Sequence, residues 1–144
     1  MMDRAAFDAV CDALPATFMV VQWGDAHVWK VGNATKNKVF AMSTFWVGKD
    51  GGPDTPKNGE HGIVLRVAPR SFQMLTEEAG IMQAPYLAKG QWIRVVEDSP
   101  LTDEDLAAYV RGAHRIMAGG LTKKLQAELS LTDWVAQGPN AGRK

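Results

Sequence analysis

The chain has 144 residues, 46% of them hydrophobic, and 16 basic residues balance 16 acidic ones to a formal net charge of zero. That length is one domain, able to bury roughly 68–70% of its unfolded surface without a metal or disulfide staple. The single cysteine, Cys11, excludes an internal disulfide and a cysteine-based zinc site, and the balanced charge argues against a dedicated nucleic-acid binder, which carries a basic excess. No stretch approaches the roughly 20 apolar residues of a membrane span. Asp3, Asp8 and Asp12 interrupt any apolar leader core near the start. A soluble, cytoplasmic protein is the expectation.

The first element reads as a helix. Asp3 is the expected N-cap, Phe7, Val10, Cys11 and Leu14 recur at helical spacing, and Pro15 stops the run. Cys11 falls on the apolar stripe, where a buried, inert thiol is expected. Three strands follow, over Thr17–Trp23, Ala26–Val31 and Lys38–Trp46, joined by the polar turns Gly24-Asp25 and Gly32–Asn37. Such short spacings favour an antiparallel meander.

Val47–His61 carries four glycines and two prolines and reads as a long mobile loop. Its Gly48-Lys49-Asp50-Gly51-Gly52 run lacks the order and the following helix of a phosphate loop. Ile63–Val67 reads as a strand. Pro69 then opens a helix whose apolar side is Phe72, Leu75 and Ala79, with Gly80 at C′. Trp92–Val96 is the next strand.

The last major helix has the strongest start signal. Thr102 is its N-cap, Asp105 stands three residues on, and Leu101 and Leu106 form a hydrophobic staple. Asp103, Glu104 and Asp105 complement the helix dipole. Leu106, Tyr109, Val110, Ala113, Ile116 and Met117 form the apolar stripe, which Gly119-Gly120 interrupts. Leu121–Leu129 reads as a second short helix. Residues 131–144 are expected to be a weakly held tail, in which Leu131, Trp134 and Val135 offer docking groups.

The order is read as α-β-β-β-α-β-β-α, with the domain over residues 1–130. A five-stranded antiparallel sheet with helices packed on one face is a two-layer α+β fold.

The recurring pieces Trp23-Gly24, Lys30-Val31-Gly32, Lys38-Val39-Phe40-Ala41, Tyr86 followed by Trp92, and the acidic-start helix Leu101–Ile116 resemble the MmcQ/YjbR family from about Asp3 to Leu129. The resemblance implies a double-wing arrangement and the DNA-binding label the family commonly carries. It also implies a fold like that of small type III secretion chaperones, which bind proteins. Two departures stand out. Leu87-Ala88 occupies the place of a His-Asn pair found in many members, and Gln22 stands where many have Pro.

Two kinds of site follow. In the first, Lys30, Lys38, Arg66, Lys89 and Arg94 neutralise phosphates of a nucleic acid while Trp92 stacks on a base. In the second, Trp23, Trp29, Tyr86 and Trp92 line a cleft for a small aromatic ligand or a peptide. An exposed sheet edge also leaves pairing with a peptide or with a second copy open. His27, His61 and His114 come without HExxH, GxSxG or paired-carboxylate spacing. The chain therefore reads as non-enzymatic, with no cofactor and no metal.

Overall fold

The structure is a computed structural model and describes residues 1–45 and 60–138. Trp46 and nearly all of the expected loop at 47–61 lie outside the described residues. Eleven elements follow in chain order: α1 Arg4–Asp12, β1 Thr17–Gln22, β2 Ala26–Gly32, β3 Asn37–Thr44, β4 Gly62–Arg66, α2 Pro69–Leu75, β5 Ile81–Gln83, β6 Trp92–Val95, α3 Asp103–Gly119, α4 Lys123–Glu128 and α5 Thr132–Ala136. The α+β class agrees with the sequence reading. The strand count and order do not: six strands form the sheet, four of them before α2, and the sheet order is β1-β2-β3-β4-β6-β5 with every pairing antiparallel.

The extra strand is β5. Three residues are too few to show a period of two, so it becomes a strand only by pairing with β6, Ile81 opposite Val95 and Gln83 opposite Ile93. The end of α2 is a second correction. That helix stops at Leu75, with Thr76 as its C-cap, whose amide and hydroxyl both donate to the Phe72 carbonyl, at 3.0 and 2.7 Å. Gly80 serves β5 instead. Its φ is +76°, and a Cβ there would lie 2.4 Å from the Ser99 backbone nitrogen, so the close approach needs glycine.

Local chemistry starts the helices as expected. The Asp3 carboxylate accepts from the Ala6 amide at 2.8 Å, and the Thr102 hydroxyl accepts from the Asp105 amide at 3.0 Å. The helices pack on one face of the sheet. Phe7 and Cys11 of α1, Leu14 just after it, Leu75 of α2, Leu106, Val110 and Ala113 of α3, Leu125 of α4 and Leu131 close over Trp29, Val31, Phe40, Ile63, Leu65, Ile93 and Val95. The β2–β3 register slips between Trp29 and Lys30, so Phe40 is an extra residue on β3. This bulge turns Phe40 into the helical core, where its ring meets His114 edge-on at 5.0 Å. The expected tail is ordered from Leu131 to Ala136, and Leu131 is fully buried.

The opposite face carries a row of register partners, Val28, Met42, Val64, Arg94 and Met82. Val28, Met42 and Val64 belong to a second, smaller apolar cluster with Ala26, Ala84 and Trp92.

Candidate functional site

α1 presents Arg4 and Asp8, one turn apart, to the end of the sheet where β2, β3 and β4 meet. Asp8 holds two groups of β2: its Oδ2 lies 2.8 Å from Nδ1 of His27, and its Oδ1 accepts the Trp29 indole N–H at 2.9 Å. His27 and Trp29 alternate along one face, so a single carboxylate reaches both.

Arg4 holds the next strand. Its Nε donates to the Ser43 hydroxyl oxygen at 3.0 Å and its Nη2 to the Ser43 carbonyl at 2.9 Å. The Ser43 oxygen is also 2.7 Å from Nε2 of His61. Arginine only donates, so the Ser43 oxygen accepts from Arg4, and it meets His61 Nε2 as donor or acceptor according to the imidazole tautomer. Burial lowers the His61 pKa, and the positive charges of Arg4 and Arg94 lower it further. The Arg4 guanidinium also lies over the Phe45 ring, 4.7 Å from its centroid, and Phe45 stacks on His61 at 4.9 Å and 27°.

The stack of Arg4, Phe45 and His61 borders an open depression of about 500 Å³, whose other walls are Met1, Met2, Asp3, Ala5 and Glu97. The terminal ammonium of Met1 and the Glu97 carboxylate pair at 3.1 Å. Met1, Met2, Ala5 and Phe45 give the depression an apolar lining, while Arg4, His61, Asp3 and Glu97 supply its polar groups, Glu97 being paired with the terminal ammonium. Ser43 itself is fully buried, so its hydroxyl positions His61 and Arg4 and does not meet solvent. Among the described residues no group of three or more His, Cys, Asp or Glu could hold a metal ion. Burial, and then Asp8 and Asp12, push the Cys11 thiol far up, in keeping with an inert core group.

The expected site residues are dispersed. Lys30 pairs with Val39 on the face away from the helices, whereas Lys38 pairs with Val31 on the helical face and runs toward Gly120 at the end of α3. Arg66 directs Nη1 to the Met117 sulfur at 3.5 Å. Lys89 is exposed between β5 and β6. Arg94 and Trp92 are buried, so neither offers a surface for phosphate or base. The aromatic set is equally divided. Trp29 belongs to the helical core and Trp92 to the opposite cluster. Trp23 (56% exposed) sits at the β1–β2 turn and Tyr86 (77% exposed) between β5 and β6, toward opposite edges of the sheet. Five strand spacings separate those edges, on the order of 20 Å. The structure brings together Arg4, Asp8, His27, Ser43, Phe45 and His61, which sequence reasoning did not group. The available signal was the one-turn spacing of Arg4 and Asp8 on a helix facing a strand with alternating His27 and Trp29.

The fold and site define a small α+β protein whose polar cluster is clamped between its first helix and the end of an antiparallel sheet. The family model YjbR matches residues 12–116. The chain belongs to the YjbR family. It is similar to a crystal structure of a Deinococcus radiodurans protein with the domain DUF419, at 25% identity and TM-score 0.69, over 87% of this chain and 86% of that one. A Pseudomonas syringae protein is similar in its crystal structure (19% identity, TM-score 0.65, covering 81% of this chain and 99% of that one). A solution structure from the same organism is similar too, at 21% identity and TM-score 0.58, over 81% of this chain and 93% of the other. No curated protein matches the chain.

Proposed function

We propose that this protein is a non-enzymatic binding module for a small molecule with an apolar body and one polar group, seated in the depression beside Arg4, Phe45 and His61. The observation that carries the reading is the stack of a guanidinium, a phenyl ring and a neutral imidazole at the mouth of an apolar hollow. Phe45 and the two methionines would take the body of the ligand. Arg4 and His61 would take its polar group, because Ser43 fixes both in place before the ligand arrives. Binding is favoured over catalysis because the serine next to the histidine is buried and already accepts the Arg4 Nε–H. A nucleophile needs access to a reacting atom.

The nucleic-acid reading has weaker support. Of its six residues, Arg94 and Trp92 are buried, Arg66 turns to α3, and Lys30 and Lys38 lie on opposite faces. An amide NMR screen with neutral and anionic aromatic fragments tests the proposal. Shifts at Ala5, Phe45 and His61 are expected, with Arg4→Ala and Phe45→Ala each weakening affinity about tenfold, or about 1.4 kcal/mol. A mixed-sequence duplex and a single strand are titrated in parallel. Localised, salt-sensitive shifts at Lys30, Lys38 and Lys89, with no fragment response, would replace this reading with the nucleic-acid one.

A further inference from the structure

The two edges of the sheet are built differently. β5, at one edge, is three residues long, Pro85 follows it, and the Gln83 side chain donates to the carbonyls of Ala84 and Leu87 in the next turn. Shortness and a nearby proline are ways an edge is closed to further pairing. β1, at the other edge, is six residues long and holds an unbroken register with β2, and no described strand pairs with its outer side. From Ala13 to Gly24 the chain carries no charged residue. Met19 and Val21 stand opposite Trp29 and His27 in register, so they carry the helix-bearing face out to the rim, where they are 37% and 55% exposed. Trp23 follows at a φ of +50°. That left-handed position suits Gly or Asn and costs a bulky residue. The Trp23 side chain is mostly exposed, so packing within the chain does little to offset the cost.

An uncharged strand edge beside exposed apolar side chains is a template for another strand. We propose that the occupant is a second copy of this chain, which lays its own β1 antiparallel to the first across a two-fold axis at Val20. Opposed residues in a sheet point to the same face. With Val20 opposite Val20, both helical layers stay on one side of a continuous sheet. Met19 then meets the partner's Val21, Phe18 the partner's Gln22, and Trp23 the partner's Thr17. Every opposed pair is apolar or neutral, which a two-fold interface requires because each residue type meets the same patch on the other copy. A lysine in β1 would instead bring like charges together. About seven residues a copy are fewer than the roughly 20–30 a side of a standard interface. The dimer is therefore a weak one, in the micromolar to millimolar range. None of these residues lines the depression beside Arg4, so the dimer and the ligand reading fail independently.

The test is sedimentation equilibrium of the full chain from micromolar to millimolar concentration, with amide hydrogen exchange across the same range. The wild type is expected to dimerise, and protection is expected to rise with concentration at Thr17–Gln22 and not at Ile81–Gln83. Val21→Lys, at an exposed position, is expected to weaken the dimer by about tenfold or more while leaving Tm at micromolar concentration unchanged. Met19→Glu combined with Val21→Lys sets opposite charges against each other across the axis and is expected to restore dimerisation. Trp23→Asn suits the turn, so it is expected to keep or raise the micromolar Tm while weakening the dimer. A wild type that stays monomeric at every concentration would overturn the proposal and leave the edge to a segment of another protein. So would a dimer that Val21→Lys leaves intact, or one whose protection rises outside β1. A dimer lost in Val21→Lys and not restored by the paired charges would overturn the axis at Val20.

Discussion

The indole N–H of Trp134 donates to Nδ1 of His114 at 2.7 Å, and Nε2 of the same imidazole meets the Pro15 carbonyl at 2.8 Å. One neutral ring with its proton on Nε2 satisfies both contacts, and it joins α5 to α3 and to the turn before β1. Burial pushes the His114 pKa down from 6.5 to about 4, and Arg115 acts in the same direction.

The unfolded chain therefore binds a proton at His114 at a pH where the folded chain does not. Stability from this group is complete above 6.5 and is lost as pH falls toward about 4. A difference of that size is worth about 3 kcal/mol. Denaturant unfolding between pH 7 and 4 is expected to show this slope, steepened by His61, whose pKa is also lowered. His114→Gln is expected to flatten most of it.

Leu131 anchors the segment that composition alone marks as a tail. It is fully buried within the helical core, and its amide donates to the Gln126 carbonyl at 2.7 Å. Leu131→Ala is expected to cost about 2–5 kcal/mol in equilibrium unfolding. A change below about 0.5 kcal/mol would mean that α5 adds nothing to the fold.

Gly62 and Arg94 are in direct conflict once a methyl group is added. Gly62→Ala is expected to destabilise by about 2–3 kcal/mol, since Nε, Cζ and Nη2 would all have to move. In an Arg94→Met background the same substitution is expected to cost much less, because a flexible thioether yields where a planar guanidinium cannot. A double-mutant cycle measures the coupling, expected on the order of 1–2 kcal/mol.

The Trp29 indole N–H is satisfied by the Asp8 carboxylate. Asp8→Ala takes that acceptor away from a buried donor and is expected to cost about 1–3 kcal/mol. Trp29 fluorescence, isolated by comparison with Trp29→Phe, is expected to change with it. An unchanged emission would show that water or a neighbour replaces the carboxylate.

The sequence by itself determined what lies within a few residues of its cause. The Asp3 and Thr102 caps, the stripes of α1 and α3, the meander from β1 to β3 and the family assignment were all legible, because capping and periodicity are local. Tertiary structure alone decided the rest. β5 is a strand only because β6 lies beside it, and α2 ends where Thr76 bonds back to Phe72. Phe40 enters the core through a bulge that exists only in the β2–β3 pairing. The same holds for the sites. Lys30 and Lys38 look alike in the chain, and the sheet sends them to opposite faces. Arg94 reads as a surface cation until its row of Val28, Met42 and Val64 is assembled around it. Arg4, Ser43 and His61 come from three separate parts of the chain, and their hydrogen bonds form only when α1 is laid across the end of the sheet.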